Sequence, residues 1–297
     1  MAEYSVLMSV YIKENPRYLG ESLDSMFTQT LKPQEIVLVC DGPLTDGLDS
    51  VIREREQQYG DMLHVVRLEK NGGLGKALGE GIKHCRNELI ARMDSDDKSM
   101  PERCEAQVNY MLEHPETAVL GGYIEEFDDD NSTSSQFLRK VPEEHKDIIK
   151  FSKRRNPFNH MTVMFRKSAV LSVGGYLDFL YLEDYYLWIR MFLAGYQGHN
   201  LKKVLVRART GKGMIKRRSG MAYAESQKRL FKYMLDQGYI TKSNYITSMT
   251  ERRFMALAPS WLRESAYKIV LRRKKSIVPL SEFGKAEQYV INLLRWQ

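Results

Sequence analysis

The sequence has few cysteines and no long apolar run. Its three cysteines, Cys40, Cys85 and Cys104, form no CxxC pair and no metal-ligand spacing, and their odd number argues against a disulfide framework. No stretch approaches the roughly 18 apolar residues of a membrane-spanning helix. A strand pattern begins almost at the N-terminus, where a signal peptide would lie. These absences predict a cytoplasmic protein in a reducing compartment.

Common nucleotide-binding and nucleic-acid-binding motifs are also missing. The sequence contains neither the GxGxxG pattern of dinucleotide-binding folds nor the GxxxxGK[ST] pattern of P-loop proteins. It shows no helix-turn-helix, RNP or zinc-finger pattern, so we expect no nucleic-acid partner.

Positive charge is concentrated near the C-terminus. The net charge is +7, but residues 1–200 carry 23 Lys and Arg against 32 Asp and Glu, whereas residues 201–297 carry 22 against 6. A basic tail of this kind indicates an anionic partner, and an exposed, solvated helix face is the alternative. Residues 252–275 combine Trp261 and several aliphatic side chains with eight Lys and Arg. This pattern predicts a helix on the anionic inner face of the cell membrane, or one packed on the catalytic domain.

Strand-like and helix-like segments alternate through the first half of the chain. With 297 residues, 43% of them hydrophobic, the chain suits one α/β domain with an appendage. Short all-apolar strands separated by helices predict a mostly parallel central sheet with helices on both faces. Four strands are expected in the first hundred residues, at 5–11, 35–40, 63–68 and 88–93. Ligands bind such sheets at the carboxyl ends of the strands.

An acidic turn follows the fourth predicted strand. Asp94, Asp96 and Asp97 lie together in the segment DSDD, and like charges so close together repel unless a cation is present. Mg²⁺ and Mn²⁺ are held by carboxylates together with phosphate oxygens of the substrate. The segment therefore predicts a divalent-metal site. A solvated acidic turn, or a helix N-cap before Pro101, is the alternative.

Two further aspartates have two interpretations each. Asp184, in the segment LED at 182–184, is a candidate general base for an acceptor hydroxyl, or a cap for the following helix. Asp41, at the end of the second predicted strand, is a candidate partner for a nucleotide base, or an Asx-turn residue. Gly72, Gly73 and Gly75 precede a helix, where backbone N–H groups can meet a phosphate or ribose.

Basic residues and one histidine give weaker indications. Residues 210–220 form a basic segment that we expect to fold over a donor diphosphate, with contacts from Lys212, Arg217 or Arg218, or to be an exposed linker. His160 precedes a strand pattern and is a candidate contact for the acceptor or the diphosphate. A buried, hydrogen-bonded histidine is the alternative.

Six segments in order resemble one family. SVLMSVY, EIVLVCDGP, NGGLGKALGEGI, MDSDD, GGY and LEDYYLW follow one another over roughly residues 4–220. This series is similar to bacterial family 2 glycosyltransferases of the GT-A fold that build surface polysaccharides, such as the amylovoran and O-antigen enzymes. The resemblance implies a catalytic domain at 1–220, with a nucleotide-sugar half at about 1–100 and an acceptor half at about 101–220. A helical C-terminal extension follows at 221–297.

The resemblance also assigns roles to individual residues. It implies Asp184 as the catalytic base, with Glu183 beside it, and a metal held by Asp96 and Asp97. The residues that it places at the nucleotide are Ser9, Tyr11, Asp41, Asn71, Gly75, Lys76, Asp94, Ser95 and Asp96. Cys40 and Lys76 depart from the family pattern, which often has Asp and a small residue at these two places. These departures concern the identity of the donor's base.

The activity implied by the resemblance is inverting transfer of a sugar from a UDP-sugar to an acceptor hydroxyl, with Mn²⁺ or Mg²⁺ as cofactor. The acceptor implied is a lipid-linked oligosaccharide of bacterial surface polysaccharide. One alternative is a sugar-nucleotide nucleotidyltransferase, although residues 9–20 lack the glycine- and arginine-rich loop expected of one. The other is a non-enzymatic module that binds an anionic partner.

Overall fold

The computed structural model describes residues 3–127, 137–210 and 221–257. Contacts divide the chain into two compact units, one of Met1–Ser152 with Asn156–Met214 and one of Lys153–Arg155 with Ile215–Gln297. The boundary between the sequence-based regions 1–220 and 221–297 lies a few residues after the boundary between these two units. All candidate site residues that are described lie in the first unit.

The first unit is built on one nine-stranded sheet. Its strands are β1 (Tyr4–Val10), β2 (Glu35–Cys40), β3 (Leu63–Arg67), β4 (Leu89–Asp94), β5 (Lys98–Ser99), β6 (Thr117–Phe127), β7 (Phe137–Arg139), β8 (Met164–Arg166) and β9 (Gln197–Arg209). Its α-helices are α1 (Pro16–Phe27), α2 (Asp46–Tyr59), α3 (Leu74–His84), α4 (Arg103–Glu113), α5 (His145–Ser152), α6 (Lys167–Ser172) and α7 (Glu183–Leu193).

The strand order is β3-β2-β1-β4-β8-β6-β9-β5, with β7 paired to β6. The first four strands are mutually parallel, whereas β8 runs antiparallel to both β4 and β6. Val10 pairs with Cys40 and Ser9 pairs with Asp94, so β1, β2 and β4 end at one edge of the sheet. This register confirms the predicted shared edge, which carries Asp41 and the acidic turn.

Alternate side chains of β1 explain why helices cover both faces of the sheet. Tyr4, Val6, Met8 and Val10 belong to a core cluster with buried residues of α1 and α2. On the other face, a Cβ added to Gly81 of α3 would meet the side chains of Leu7 and Val39. Buried strands must be apolar on both faces, which explains the unbroken apolar runs in the sequence.

Local signals set the starts of the first two helices. Asn15 accepts a hydrogen bond from the backbone N–H of Arg17, and Pro16 occupies the first turn of α1. Thr45 accepts from the backbone N–H of Leu48 in the same way at the start of α2.

The structure differs from the sequence prediction in several places. The apolar pattern at 204–209 predicts a strand, whereas β9 already begins at Gln197; exposed Lys202 and Lys203 interrupt the pattern and hide the first half of this strand. Strands β5 and β7 and helix α5 were not predicted. The pattern at 161–166 also predicts a strand, but residues His160–Thr162 form a 3₁₀ turn and β8 covers only Met164–Arg166. Thr162 explains the turn, since its hydroxyl donates to the carbonyl of Asn159 and accepts from the backbone N–H of Gly122.

The described part of the second unit contains two helices, α8 (Met221–Asp236) and α9 (Lys242–Leu257). Leu230, Phe231 and Met234 of α8 are buried, and the guanidinium of Arg252 lies 4.1 Å from the Phe231 ring centroid. Within the described ranges, no helix has the length and apolar content needed to cross a bilayer. Most of the predicted membrane-binding segment, from residue 258 onward, lies outside the described residues.

Candidate active site

Three carboxylates lie together at the carboxyl end of β4. Asp94, Asp96 and Asp97 each offer an oxygen within 4.8 Å of the others. Burial, and then the charges of Asp94 and Asp96, raise the pKa of Asp97 well above its ordinary value. A divalent cation would offset this repulsion, and three carboxylate oxygens are the donor set that a hard cation prefers. The residues present therefore fit Mg²⁺ or Mn²⁺.

Arg209, the last residue of β9, holds this acidic turn. Its backbone N–H donates to a carboxylate oxygen of Asp97 at 2.7 Å, and its Nε donates to the carbonyl of Asp96 at 2.9 Å. Its Nη2 also donates to Glu21, and its guanidinium lies 3.8 Å from the ring centroid of Tyr18. Sequence reasoning missed Arg209, because only the pairing of β5 with β9 brings it to the turn.

Two hydroxyl groups further fix the turn. Ser22 of α1 donates to the backbone carbonyl of Asp94 at 2.6 Å. Ser95, a predicted nucleotide contact, donates to the carboxylate of Glu14 at 2.7 Å. The turn is therefore shaped by contacts from β9, α1 and the loop before α1.

Arg92 is a buried cation beneath these carboxylates. Its Nη2 donates to Asp94, while its Nε and Nη1 are buried without a hydrogen-bond partner in the described part of the chain. Burial acts to lower the pKa of Arg92, but the hydrogen bond to Asp94 and the charges of Asp94 and Asp184 outweigh it and raise this pKa above its ordinary value. Asp94 thus contacts this guanidinium directly, and Asp184 is near enough for its charge to act on it. The sequence offered a signal here, since a charged residue inside an otherwise apolar strand is unusual.

Asp184 is held at the start of α7. One carboxylate oxygen accepts from the backbone N–H of Tyr185 at 2.7 Å, and the other accepts from the side-chain amide of Asn156 at 2.5 Å. The N-cap residue is Leu182, which makes no side-chain cap, so Asp184 is not the N-cap of this helix. The helix N-terminus favours a negative charge at this place. Asn156 was not predicted, because it lies 28 residues before Asp184 in the sequence.

Glu183 and His160 lie beside Asp184. Burial, and then the charge of Asp184, raise the pKa of Glu183 to about 7. His160 Nδ1 lies 3.9 Å from an Asp184 oxygen, and its Nε2 lies 2.9 Å from the hydroxyl of Tyr176. Burial, and then the charge of Arg92, lower the pKa of His160 well below its ordinary value, so the ring is neutral at pH 7. The buried, hydrogen-bonded alternative thus describes its environment, and its contact with a substrate stays a prediction.

Tyr176 connects the two groups of carboxylates. Burial raises the pKa of its hydroxyl, and the carboxylates of Asp184, Glu183 and Asp94 raise it further against the opposing charge of Arg92. The acidic turn and the start of α7 therefore lie close enough to act on one phenol. Tyr176 was not predicted as a site residue.

Asp41 holds the glycine-rich loop. Its carboxylate accepts from the backbone N–H groups of Gly72 at 2.7 Å and Gly73 at 2.9 Å, and from the amide of Asn71 at 3.0 Å. The Asp41 carboxylate thus receives the two glycine N–H groups that the sequence suggested for a phosphate or ribose, and that contact stays a prediction. Oδ2 of Asp41 accepts two of these bonds and Oδ1 accepts one, so Oδ1 keeps a lone pair and the predicted contact with a nucleotide base stays a prediction.

Gly75 and Lys76 lie where α3 meets the loop before α7. A Cβ on Gly75 would come within 2.7 Å of the Leu177 carbonyl oxygen and 3.1 Å of the Glu183 Cβ, so only glycine permits this approach. The Lys76 ammonium lies 3.0 Å from a carboxylate oxygen of Asp178. Ser9 and Tyr11 lie at the end of β1, beside the acidic turn. Lys212, Arg217 and Arg218 lie outside the described residues.

The sequence comparison decides the family. The family model described as Glycosyl transferase family 2 matches residues 5–171. The chain belongs to glycosyl transferase family 2. It is therefore a glycosyltransferase, and the resemblance of its six motifs to this family is confirmed.

Curated relatives of this family 2 glycosyltransferase match over nearly their whole lengths. An uncharacterized glycosyltransferase of Haemophilus influenzae is 43% identical, over 91% of this chain and 100% of the relative. The amylovoran biosynthesis glycosyltransferase AmsE of Erwinia amylovora is 41% identical, over 85% and 94%. A UDP-Gal:alpha-D-GlcNAc-diphosphoundecaprenol beta-1,3-galactosyltransferase of Escherichia coli is 37% identical, over 91% and 97%.

Solved structures confirm the GT-A fold. The mannosyltransferase PcManGT of Pyrobaculum calidifontis, in complex with GDP-Man and Mn²⁺, gives a TM-score of 0.64 at 17% identity, over 99% of this chain and 84% of that chain. Residues 1–349 of S. aureus TarS, in complex with UDP-GlcNAc, give 0.61 at 19% identity, over 98% and 79%. At these identities the likeness concerns the fold alone.

Proposed function

We propose that this family 2 glycosyltransferase moves a hexose from a UDP-sugar to a hydroxyl of a lipid-diphosphate-linked saccharide, with inversion at the anomeric carbon. The observation that carries the proposal is that Asp94 of the acidic turn bonds to buried Arg92, and that the charges of Asp94 and Asp184 both act on Arg92 and on the hydroxyl of Tyr176. A cation-binding group for the diphosphate and a base for the acceptor are thus near each other. The name of the Escherichia coli relative supports this donor and this acceptor class.

Metal dependence rests on the acidic turn. Asp96 and Asp97, with Asp94 beside them, would hold Mn²⁺ or Mg²⁺. The ion supplies Lewis-acid stabilisation of the negative charge on the leaving diphosphate. Arg209 keeps the Asp97 carboxylate directed into the turn through its backbone N–H.

Asp184 is the proposed base for the acceptor hydroxyl. An inverting single displacement needs a base on the acceptor side, and Asp184 has two donors that fix its carboxylate, Asn156 and the backbone N–H of Tyr185. The His160 ring and the Glu183 carboxyl border it and reduce its access to water. Positioning of donor and acceptor contributes on the order of 7–11 kcal/mol in favourable cases.

The nucleotide lies, in this proposal, along the ends of β1, β2 and β4. Ser9, Tyr11 and Asp41 contact the base and nucleoside, and Asp94 holds the ribose. The remaining proposed contacts are Asn71, Gly75, Lys76, Ser95 and Asp96. Asp41 and Asn71 support this placement, because their side chains bond to each other at the strand ends.

A combined donor and acceptor assay tests the proposed function. We expect UDP, but not GDP or dTDP, to raise the thermal midpoint in the presence of Mn²⁺, since ligand at 100 times its dissociation constant adds about 2.7 kcal/mol of stability. Transfer is then measured from UDP-Gal, UDP-Glc and UDP-GlcNAc to GlcNAc-diphosphoundecaprenol in detergent. Stabilisation by GDP alone, or absence of transfer from every UDP-sugar, would contradict the proposal.

We also propose that the basic C-terminal region holds the enzyme on the anionic inner face of the cell membrane, where a lipid-linked acceptor lies. Each basic residue near such a surface is worth about 1 kcal/mol. We expect the full chain to sediment with anionic vesicles at low salt, and a chain ending at residue 257 to stay in the supernatant. Equal sedimentation of both chains would count against this region as the anchor.

A further inference from the structure

The loop before α7 exposes several large apolar side chains. Leu177, Leu180 and Tyr181, which we name the apolar lip, have exposed fractions of 41%, 56% and 44%. With Leu171, they supply four of the ten exposed large hydrophobic side chains in the described part of the chain. Scattered exposed apolar residues need no explanation, whereas four within eleven residues make this loop a candidate binding surface.

Tyr181 has a strained backbone. Its φ is 67°, and it is the only non-glycine residue with a positive φ among those described. Glycine adopts this conformation without cost, and the same chain uses Gly174 and Gly175 in that way a few residues earlier. A bulky residue kept in this conformation next to a site suggests that its side chain is required there.

The apolar lip is firmly held beside the base. Phe179 is buried between its exposed neighbours, and its ring centroid lies 4.6 Å from that of Tyr186 in α7. The Leu177 carbonyl oxygen and the Glu183 Cβ lie 2.7 Å and 3.1 Å from the position that a Cβ on Gly75 would occupy. The loop thus leads directly to Asp184, with its buried residues anchored and its lip residues exposed.

We infer that the apolar lip is the acceptor subsite, with the acceptor's pyranose ring stacked on Tyr181 and flanked by Leu177 and Leu180. A pyranose has a C–H face that suits an aromatic ring and hydroxyls at its edge that remain free to meet a base. A ring on Tyr181 would present such a hydroxyl toward Asp184, three residues along the chain. The inference rests on the proposed function and names the residues that select its acceptor.

Tyr181→Asn provides the sharpest test, because asparagine tolerates a left-handed backbone but lacks the ring. With the UDP-sugar that wild type uses and GlcNAc-diphosphoundecaprenol as acceptor, we expect the acceptor KM to rise about fivefold to tenfold, the range set by one aromatic contact. UDP affinity by calorimetry should stay the same, and the thermal midpoint should not fall. Tyr181→Phe, which keeps the ring, should raise the acceptor KM less.

Leu193→Ser is the matched control. Leu193 is exposed to a similar degree, 38%, but lies at the opposite end of α7. The acceptor KM of the Leu193→Ser variant should equal that of wild type. An unchanged acceptor KM in Tyr181→Asn, or an equal rise of the acceptor KM in Leu193→Ser, would overturn the inference. The proposed function would still stand in that case, provided that wild type transfers sugar to this acceptor. Wild type that transfers nothing to this acceptor would overturn both.

Discussion

Asp184→Asn is expected to lower kcat for sugar transfer by about 10²–10⁴-fold, the usual contribution of a positioned base. The amide keeps the size of the carboxylate and can still accept the backbone N–H of Tyr185, but it cannot take a proton from the acceptor. Donor affinity should hardly change, because the proposed role of Asp184 is toward the acceptor hydroxyl and not toward the nucleotide. Single-turnover transfer and UDP calorimetry measure the two quantities separately.

Glu183→Gln is the matched comparison for this prediction. Glu183 is adjacent in sequence and equally buried, and its pKa of about 7 would also suit a base. We expect a smaller loss of kcat than in Asp184→Asn. If Asp184→Asn retained full turnover while Glu183→Gln lost it, Glu183 would be the base. Burial and then the charge of Asp184 raise the pKa of Glu183 to about 7, so its protonation changes near neutral pH. The comparison should therefore be made at several pH values.

Asp97→Asn is expected to abolish the effect of Mn²⁺ on UDP binding. Asparagine keeps an oxygen for the backbone N–H of Arg209 and removes one charge from the acidic turn, so the turn should keep its shape. Loss of residues that only support metal ligands costs about 10–100-fold in metal affinity, and loss of a direct ligand should cost at least as much. Calorimetry with UDP, with and without Mn²⁺, measures the effect.

Asp97→Ala and a chelator complete this experiment. Alanine also leaves the Arg209 N–H without its partner, so it should lower the thermal midpoint in addition to removing metal dependence. With EDTA present, wild type and Asp97→Asn should bind UDP with similar affinity, which shows that the pocket itself is intact. An undiminished Mn²⁺ effect in Asp97→Asn would remove Asp97 from the metal site.

Much of the first unit was predictable from local patterns. The runs at 35–40 and 88–93 are buried on both faces in β2 and β4, and strands of that kind occur in parallel sheets. Parallel strands end at one edge, so Asp41 and the acidic turn had to lie near each other. The sequence did not indicate that Asp41, Ser95 and Lys76 each have a protein partner at this edge.

The supporting residues of the site were not predictable in this way. Arg209 reaches the acidic turn only because β9 pairs with β5, and Asn156 reaches Asp184 across 28 residues of chain. His160 of the 3₁₀ turn meets the hydroxyl of Tyr176, which follows α6 and lies 16 residues further along the chain. None of these contacts leaves a periodic trace in the sequence, because each joins single side chains from separate elements.

The sequence by itself determined the strand–helix alternation, the shared edge with its acidic turn, and the family. These follow from short-range periodicity and from motifs whose chemistry is local. Only the tertiary structure decided which partners hold Asp97 and Asp184, that a buried arginine bonds to Asp94 of the acidic turn, and that Tyr181 has a positive φ three residues before the proposed base. Such features depend on long-range packing and backbone angles, which the order of residue types does not encode locally.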